Sequence, residues 1–385
     1  MKLSKLFVEF ANSERTSGFM LIACTVVSLL LSNYVSGEQY VTIWKTLIAG
    51  HTVTHWINDG FMTIFFLLVG LEIKRELYSG ELRSFRNRML PLLAAAGGMI
   101  VPALIHLMLN VGTPEQRGFG IPMATDIAFA LGVLSLAGKR VPAALKIFLT
   151  ALAIIDDLGA ILIIAFFYST GIVWFNLLIA FAIFAGLIVM NKFKVRYLFL
   201  YLVPGIIMWY FMLQSGVHAT ITGVLLAFAI PFNIRGELSP SARLQHYLHK
   251  PVAFIILPFF ALANTSLVVS GQVLSRLSDN NSLGIVLGLF VGKPVGIFLF
   301  SWFAIRTSIG RLPQDVRLKH LFAAGLLGGI GFTMSMFIAM LAFSEQGLVA
   351  SSKICILIGS LISALTGLSM LLLIKPVDSK IHAKK

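Results

Sequence analysis

The sequence predicts an all-α polytopic membrane protein with about twelve transmembrane helices. Three observations carry this expectation. The 385 residues are 58% hydrophobic and only 12% charged, with a mean hydropathy of +0.91, far above a water-soluble domain. The apolar residues gather into runs near the roughly 20 that a helix needs to cross a bilayer. The lysines and arginines between those runs fall almost entirely in alternate connections.

Taken in order, the expected spans are 17–34, 57–77, 89–110, 122–137, 143–168, 172–190, 197–213, 216–232, 251–269, 283–304, 320–343 and 353–374. The stretch before the first is polar and charged. No Ala-x-Ala-like cleavage pattern follows that first run, so it reads as an uncleaved span. The longest outer connection, about Tyr34–His55, contains Tyr40-Val-Thr-Ile-Trp44, which reads equally as a short hairpin strand or an irregular loop. Inner connections such as Ser79–Arg88 and Asn233–Lys250 are polar and basic. With no soluble domain and no low-complexity segment, residues 1–385 read as one integral membrane domain. Cys24 and Cys355 both lie in apolar runs and read as small packing residues.

Placing the N-terminus in the cytoplasm sorts the 30 basic residues. Twenty-five fall inside: Lys2, Lys5, Arg15, Lys74, Arg75, Arg83, Arg86, Arg88, Lys139, Arg140, Lys146, Lys192, Lys194, Arg196, Arg235, Arg243, Lys250, Arg306, Arg311, Arg317, Lys319, Lys375, Lys380, Lys384 and Lys385. Four fall outside, namely Lys45, Arg117, Arg276 and Lys353, and Lys293 lies within a span. This asymmetry puts both termini in the cytoplasm. It also accounts for the net charge of +14 without a nucleic-acid partner.

The chemistry concentrates in ionisable residues at bilayer depth. Asp156 and Asp157 are adjacent in an otherwise apolar span. Each carboxylate there costs about 3 kcal/mol on the lenient insertion scale, so such residues mark function rather than packing. Helical neighbours point about 100° apart, so the two cannot share one face. Lys293 must pair with a carboxylate for the same reason; Asp156 or Asp157 is the nearer expectation and Asp126 the lesser. Asp126 follows Thr125 in a span broken by Pro122, a pattern that fits a discontinuous helix with its carboxylate near a helix N-terminus. Gly328, Gly329 and Gly331 weaken a second span, where Thr333 and Ser335 are placed to bond freed carbonyls. Two interrupted spans in separate halves point to a transport site; close packing through small residues is the competing reading.

Weaker candidates lie around these. Asp59, with Asn58, fits either an intramembrane role or a helix cap. His218 suits a pH-sensitive group or a locally bonded helix-end histidine. Glu72, Arg75 and Glu76 stand at helical spacing on a cytoplasmic helix end, which on spacing alone reads as a solvated face.

These segments together resemble the NhaA family of Na+/H+ antiporters over nearly the whole chain. The resemblance rests on Trp56-Ile-Asn-Asp59, Phe65–Leu77 with its Gly-Leu-Glu-Ile-Lys-Arg-Glu core, Ala124–Gly132, Ala153–Ala160, Gly216-Val-His-Ala-Thr220, Gly292-Lys-Pro294 and Gly329–Ser335. It implies inverted repeats, for which this family is a standard example, and two crossed discontinuous helices at spans 4 and 11. It makes Asp157 the main Na+ and proton carboxylate, with Asp156 its neighbour linked to Lys293. It puts Thr125 and Asp126 at the helix crossing, where Asp126 compensates half-helix dipoles. It assigns Glu72, Arg75 and Glu76 to a pH-responsive cytoplasmic funnel, and it implies a homodimer through a hairpin near 34–55. Ala242 and Gln245 depart from the charged cluster of the family, which puts the pH profile in doubt.

The function expected is exchange of Na+ or Li+ for H+, extruding Na+ on the proton gradient. Such a transporter is no enzyme and needs no cofactor beyond the ions it carries. Three alternatives remain at this level. An intramembrane aspartyl protease needs two membrane aspartates, such as Asp126 and Asp156, but no Gly-x-Gly-Asp element is present. A carrier of organic solutes needs more hydrogen-bonding groups than these spans offer. A plain channel conflicts with a lysine in the path.

Overall fold

The computed structural model describes residues 5–35, 37–80, 85–169, 171–233, 239–313 and 315–374. Lys2, Arg83, Arg235, Lys375, Lys380, Lys384 and Lys385 lie outside the described residues, as do the side chains of Lys5, Arg15, Arg86 and Lys139 and parts of the inner connections 79–88 and 233–250. In hydrocarbon every backbone N–H and C=O must bond within its own segment, and the apolar runs accordingly form helices. In chain order these are α1 (Lys5–Leu30), α2 (Val53–Ser79), α3 (Phe85–Leu109), α4 (Pro114–Met123, a 3₁₀ segment), α5 (Ile127–Leu136), α6 (Ala143–Phe167), α7 (Trp174–Lys192), α8 (Phe199–Leu213), α9 (Ile221–Ala229), α10 (Pro240–Asn264), α11 (Asn280–Arg306), α12 (Leu318–Gly328), α13 (Phe332–Ala342) and α14 (Gln346–Leu373).

Among the described residues eight helices are long and apolar enough to cross a membrane, and two bent pairs raise this to ten. The pairs are α4 with α5, bent by 44°, and α12 with α13, bent by 47°. The two other expected spans correspond to α8 and α9, which fall short of that length.

The chain divides into two compact units. The first comprises Met1–Phe19, Ser84–Asp156 and Gly271–Lys385. Here α3 and α11 approach through glycines: a Cβ on Gly296 would stand 2.1 Å from the Gly97 carbonyl oxygen. The turn Gly288–Gly292 of α11 is π-helical. Pro294 follows it and has no N–H to close the ordinary i→i−4 bond, which accounts for the widening just before Lys293. The second unit comprises Met20–Arg83 and Asp157–Ser270. Its core gathers Leu67 and Leu71 of α2, Leu187 of α7, Tyr201 and Met208 of α8 and Leu226 of α9.

Two local expectations are corrected. Tyr40–Trp44 is not a strand: it lies in the helix Gly37–Lys45, where Tyr40 and Trp44 meet edge to face one turn apart. A two-residue hairpin does form, but later, from β1 (Leu47–Ile48) and β2 (His51–Thr52) around Ala49 and Gly50, both at positive φ. Asn58 and Asp59 cap no helix. Thr52 does so, accepting from the His55 N–H, and Asn58 and Asp59 sit in a π-helical turn of α2.

Candidate functional site

The breaks between α4 and α5 and between α12 and α13 are hydrogen-bonded to each other inside the first unit. Interrupting a helix leaves carbonyls at one end and N–H groups at the other, and each set needs a partner away from water. The Asp126 N–H donates to the Ile330 carbonyl at 2.7 Å. The Ser335 hydroxyl donates to the Ile121 carbonyl at 2.7 Å. Thr125 Oγ1 lies 2.9 Å from the Gly328 carbonyl oxygen and 2.7 Å from Asp156 Oδ2.

Asp126 serves two helix N-termini at once. Its Oδ1 accepts the Phe129 N–H of α5 at 2.9 Å, and its Oδ2 accepts the Thr333 N–H of α13 at 3.2 Å together with the Thr333 hydroxyl. The full negative charge faces the partial positive charge of both ends, which makes a buried carboxylate tolerable here. Thr333 thus bonds the carboxylate and not a freed carbonyl, contrary to the sequence expectation.

The opposite charge is supplied by Lys293. Its ammonium lies 3.0 Å from Asp156 Oδ2 and donates to the Met123 carbonyl, the last of α4. Lys293 and Asp156 are both removed from solvent. Of the two carboxylates left open by sequence, the one paired with Lys293 is therefore Asp156. Its Oδ2 takes both Lys293 and Thr125, while its buried Oδ1 has no hydrogen-bond partner among the described residues. Asp157, the next residue on α6, is equally buried at 1% exposure. A buried carboxylate oxygen beside backbone carbonyls is the hard donor set that suits a small monovalent cation. The described residues contain no cluster of three His, Cys, Asp or Glu of the kind that holds a transition metal.

The remaining candidates lie in the second unit. Glu72 is buried, with the Gln245 side chain as its hydrogen-bond partner, whereas Arg75 pairs with Glu76 at 3.1 Å on the partly exposed side. The solvated-face reading therefore fails for Glu72. Gln245 keeps contact with it despite carrying no charge, while Ala242 only donates its N–H to Ser239 at the start of α10. A ring N–H of His218 donates to the Tyr168 carbonyl at 3.1 Å. Asp59 pairs with His55 at 3.1 Å, and His55 stacks on His51 with ring centroids 4.3 Å apart.

Sequence reasoning missed two polar residues that hold helix ends. Lys74 is buried, and its ammonium donates to the carbonyls of Ala227, Phe228 and Ile230 at the end of α9. Its place among Glu72, Arg75 and Glu76 made it look like one more inner surface charge. Ser360 of α14 accepts the N–H groups of Gly331 and Phe332, each at 3.2 Å. A serine in an apolar run carries no charge signal that would single it out.

The chain is similar to known proteins over nearly its whole length. Residues 8–371 match the family model described as Na+/H+ antiporter 1. A protein of Flavobacterium psychrophilum named Na(+)/H(+) antiporter NhaA is 56% identical over 367 residues, which cover 95% of this chain and 96% of that protein. One of the same name from Dechloromonas aromatica is 56% identical over 363 residues, covering 93% of each. Another from Vibrio cholerae is 46% identical over 379 residues, covering 97% and 99%.

Proposed function

Because the chain belongs to the NhaA family of Na+/H+ antiporters and is a multi-pass membrane transporter exchanging Na+ for H+, we propose that Asp157 and Asp156 are its alternating Na+ and proton carboxylates. The observation that carries this reading is the buried Asp156–Lys293 pair, with an Asp156 Oδ1 that has no hydrogen-bond partner among the described residues and the neighbouring Asp157 on the same helix. Na+ or H+ neutralises the carboxylates, but not both together. Only the neutralised site crosses cheaply to the other side, which couples the two flows. Lys293 holds Asp156 and the Met123 carbonyl, and Asp126 with Thr125 holds the two breaks in place.

Two acidic equivalents loading protons against one Na+ make the exchange electrogenic, so the proton gradient across the bacterial inner membrane drives Na+ or Li+ outward. Both termini face the cytoplasm, as the basic connections favour. The whole chain acts as one antiporter domain, and two copies pair through the segment 34–55 as a homodimer. Glu72 with Gln245, Arg75 with Glu76, and His218 supply the pH response, and Asp59 has a secondary part.

The aspartyl-protease reading falls away. Its two carboxylates would have to share a reacting water, yet Asp126 is bonded to helix ends and Asp156 to an ammonium. The test is Asp157→Asn in proteoliposomes carrying a pH gradient. Na+-dependent proton flux is expected to vanish, and retained coupled flux overturns the assignment.

A further inference from the structure

The N–H groups that open α13 have two different acceptors. Asp126 takes that of Thr333, while Ser360 takes those of Gly331 and Phe332 at 3.2 Å each. A serine oxygen has two lone pairs, so one hydroxyl suffices for both donors. Ser360 is 4% exposed and reaches the break from α14, a helix that supplies none of the carboxylates or the lysine at this site. Without it, two donors at the start of a half-helix would have no acceptor in a place water does not reach.

The break that Ser360 holds is short. Gly328 closes α12, Phe332 opens α13, and only three residues separate them. At the near side of those residues the Gly328 carbonyl faces Thr125 Oγ1, which lies against Asp156 Oδ2. A continuous line of polar contacts thus runs from Ser360 through the backbone of 328–332 to Thr125 and the Asp156 carboxylate. α5 has no counterpart to this second acceptor among the described hydrogen bonds: its N-terminus rests on Asp126.

We infer that Ser360 is a positioning residue for the exchange reaction, fixing the break of the second interrupted helix so that Thr125 and the Asp156 carboxylate keep the geometry that binds the cation. This rests on the reading that Asp156 and Asp157 carry the ion. Ser360 touches no ion itself; its removal lets residues 329–332 relax and moves the Gly328 carbonyl away from Thr125. The consequence is weaker cation binding rather than slower turnover.

Ser363 supplies an internal control. It lies one turn further along α14, is fully buried, and its hydroxyl has no hydrogen-bond partner among the described residues. Its Oγ packs beside Gly329 of the break, but Ser363→Ala leaves the N–H groups of Gly331 and Phe332 with their acceptor.

The experiment measures Na+- and Li+-dependent proton flux in proteoliposomes for Ser360→Ala, Ser360→Thr, Ser363→Ala and Asp157→Asn, with elution and melting profiles in detergent to confirm folding. Loss of the cap is expected to raise the apparent KM for Na+ about fivefold, with Vmax within about twofold. Ser360→Thr, which keeps the oxygen, and Ser363→Ala retain the original KM. Should Ser360→Ala fail to accumulate, Ser360→Cys replaces it, since sulfur is a weak acceptor of similar size; the same rise is expected. An unchanged KM in a folded Ser360 variant, or an equal rise in Ser363→Ala, overturns the positioning role while Asp157→Asn remains inactive. Coupled flux surviving in Asp157→Asn overturns the underlying ion-site reading instead.

Discussion

The Asp156–Lys293 pair makes a quantitative statement about stability. Lys293→Met keeps the length of the side chain and removes the charge. It leaves Asp156 with Thr125 as its remaining bonded partner and strips the Met123 carbonyl of its donor. Asp156→Asn does the converse, taking the negative charge from beside the ammonium. Both groups are wholly buried, so each single change takes the opposite charge from beside a buried ion, and each is expected to cost about 3–5 kcal/mol. The double variant removes both charges and should lie within about 1–2 kcal/mol of the original protein. The coupling energy is therefore expected to be at least about 3 kcal/mol. It is read from unfolding of the four proteins in one detergent at one pH. If the double variant is as unstable as the two singles added together, the pair does not hold these helices and the reasoning fails.

Other expectations follow from the packing around this pair and elsewhere. Gly296→Ala places a Cβ 2.1 Å from the Gly97 carbonyl oxygen, where ordinary contact begins at 3.4 Å. α3 and α11 must part by about 1 Å, at a cost of about 1–3 kcal/mol; lower melting together with reduced Na+-dependent flux is expected, because Lys293 is three residues away. Thr125→Val removes the hydroxyl that faces both Gly328 and Asp156 and should cost about 1–3 kcal/mol, with a raised Na+ KM in flux assays; an unchanged KM counts against its part in the site. Lys74→Met leaves three carbonyls at the end of α9 without their donor. It should lower the melting temperature while leaving the Na+ KM as it was, and a change in KM alone would show that Lys74 does more than cap a helix.

Much of the fold could be read from residue type because a bilayer penalises polarity so steeply. The Thr125-Asp126 break and the glycines from Gly328 to Gly331 stood out, and both breaks lie within one or two residues of those positions. The deep ionisable residues Asp126, Asp156, Asp157 and Lys293 stood out for the same reason. Spacing left open which aspartate meets Lys293, since helical neighbours differ only by rotation and the choice is made by how α6 and α11 pack. Tyr40–Trp44 misled because a short alternating run has period two and also places its two aromatic ends one helical turn apart. Glu72 and Lys74 misled in another way: charges at a helix end look alike whether they face water or the end of another helix. Ser360 was invisible, because a hydroxyl costs little in an apolar run and its role is set by where α14 lies.

The Thr125 hydroxyl carries a single hydrogen, yet two oxygens stand within its reach, on Gly328 and on Asp156. While Asp156 is ionised that hydrogen can satisfy only one of them. Once Asp156 takes up a proton, the acid can donate to Thr125 instead, and the threonine is free to turn toward Gly328. If Asp156 carries the proton as proposed, its gain or loss on α6 is felt as a change of grip on the end of α12, by the swing of a single O–H bond.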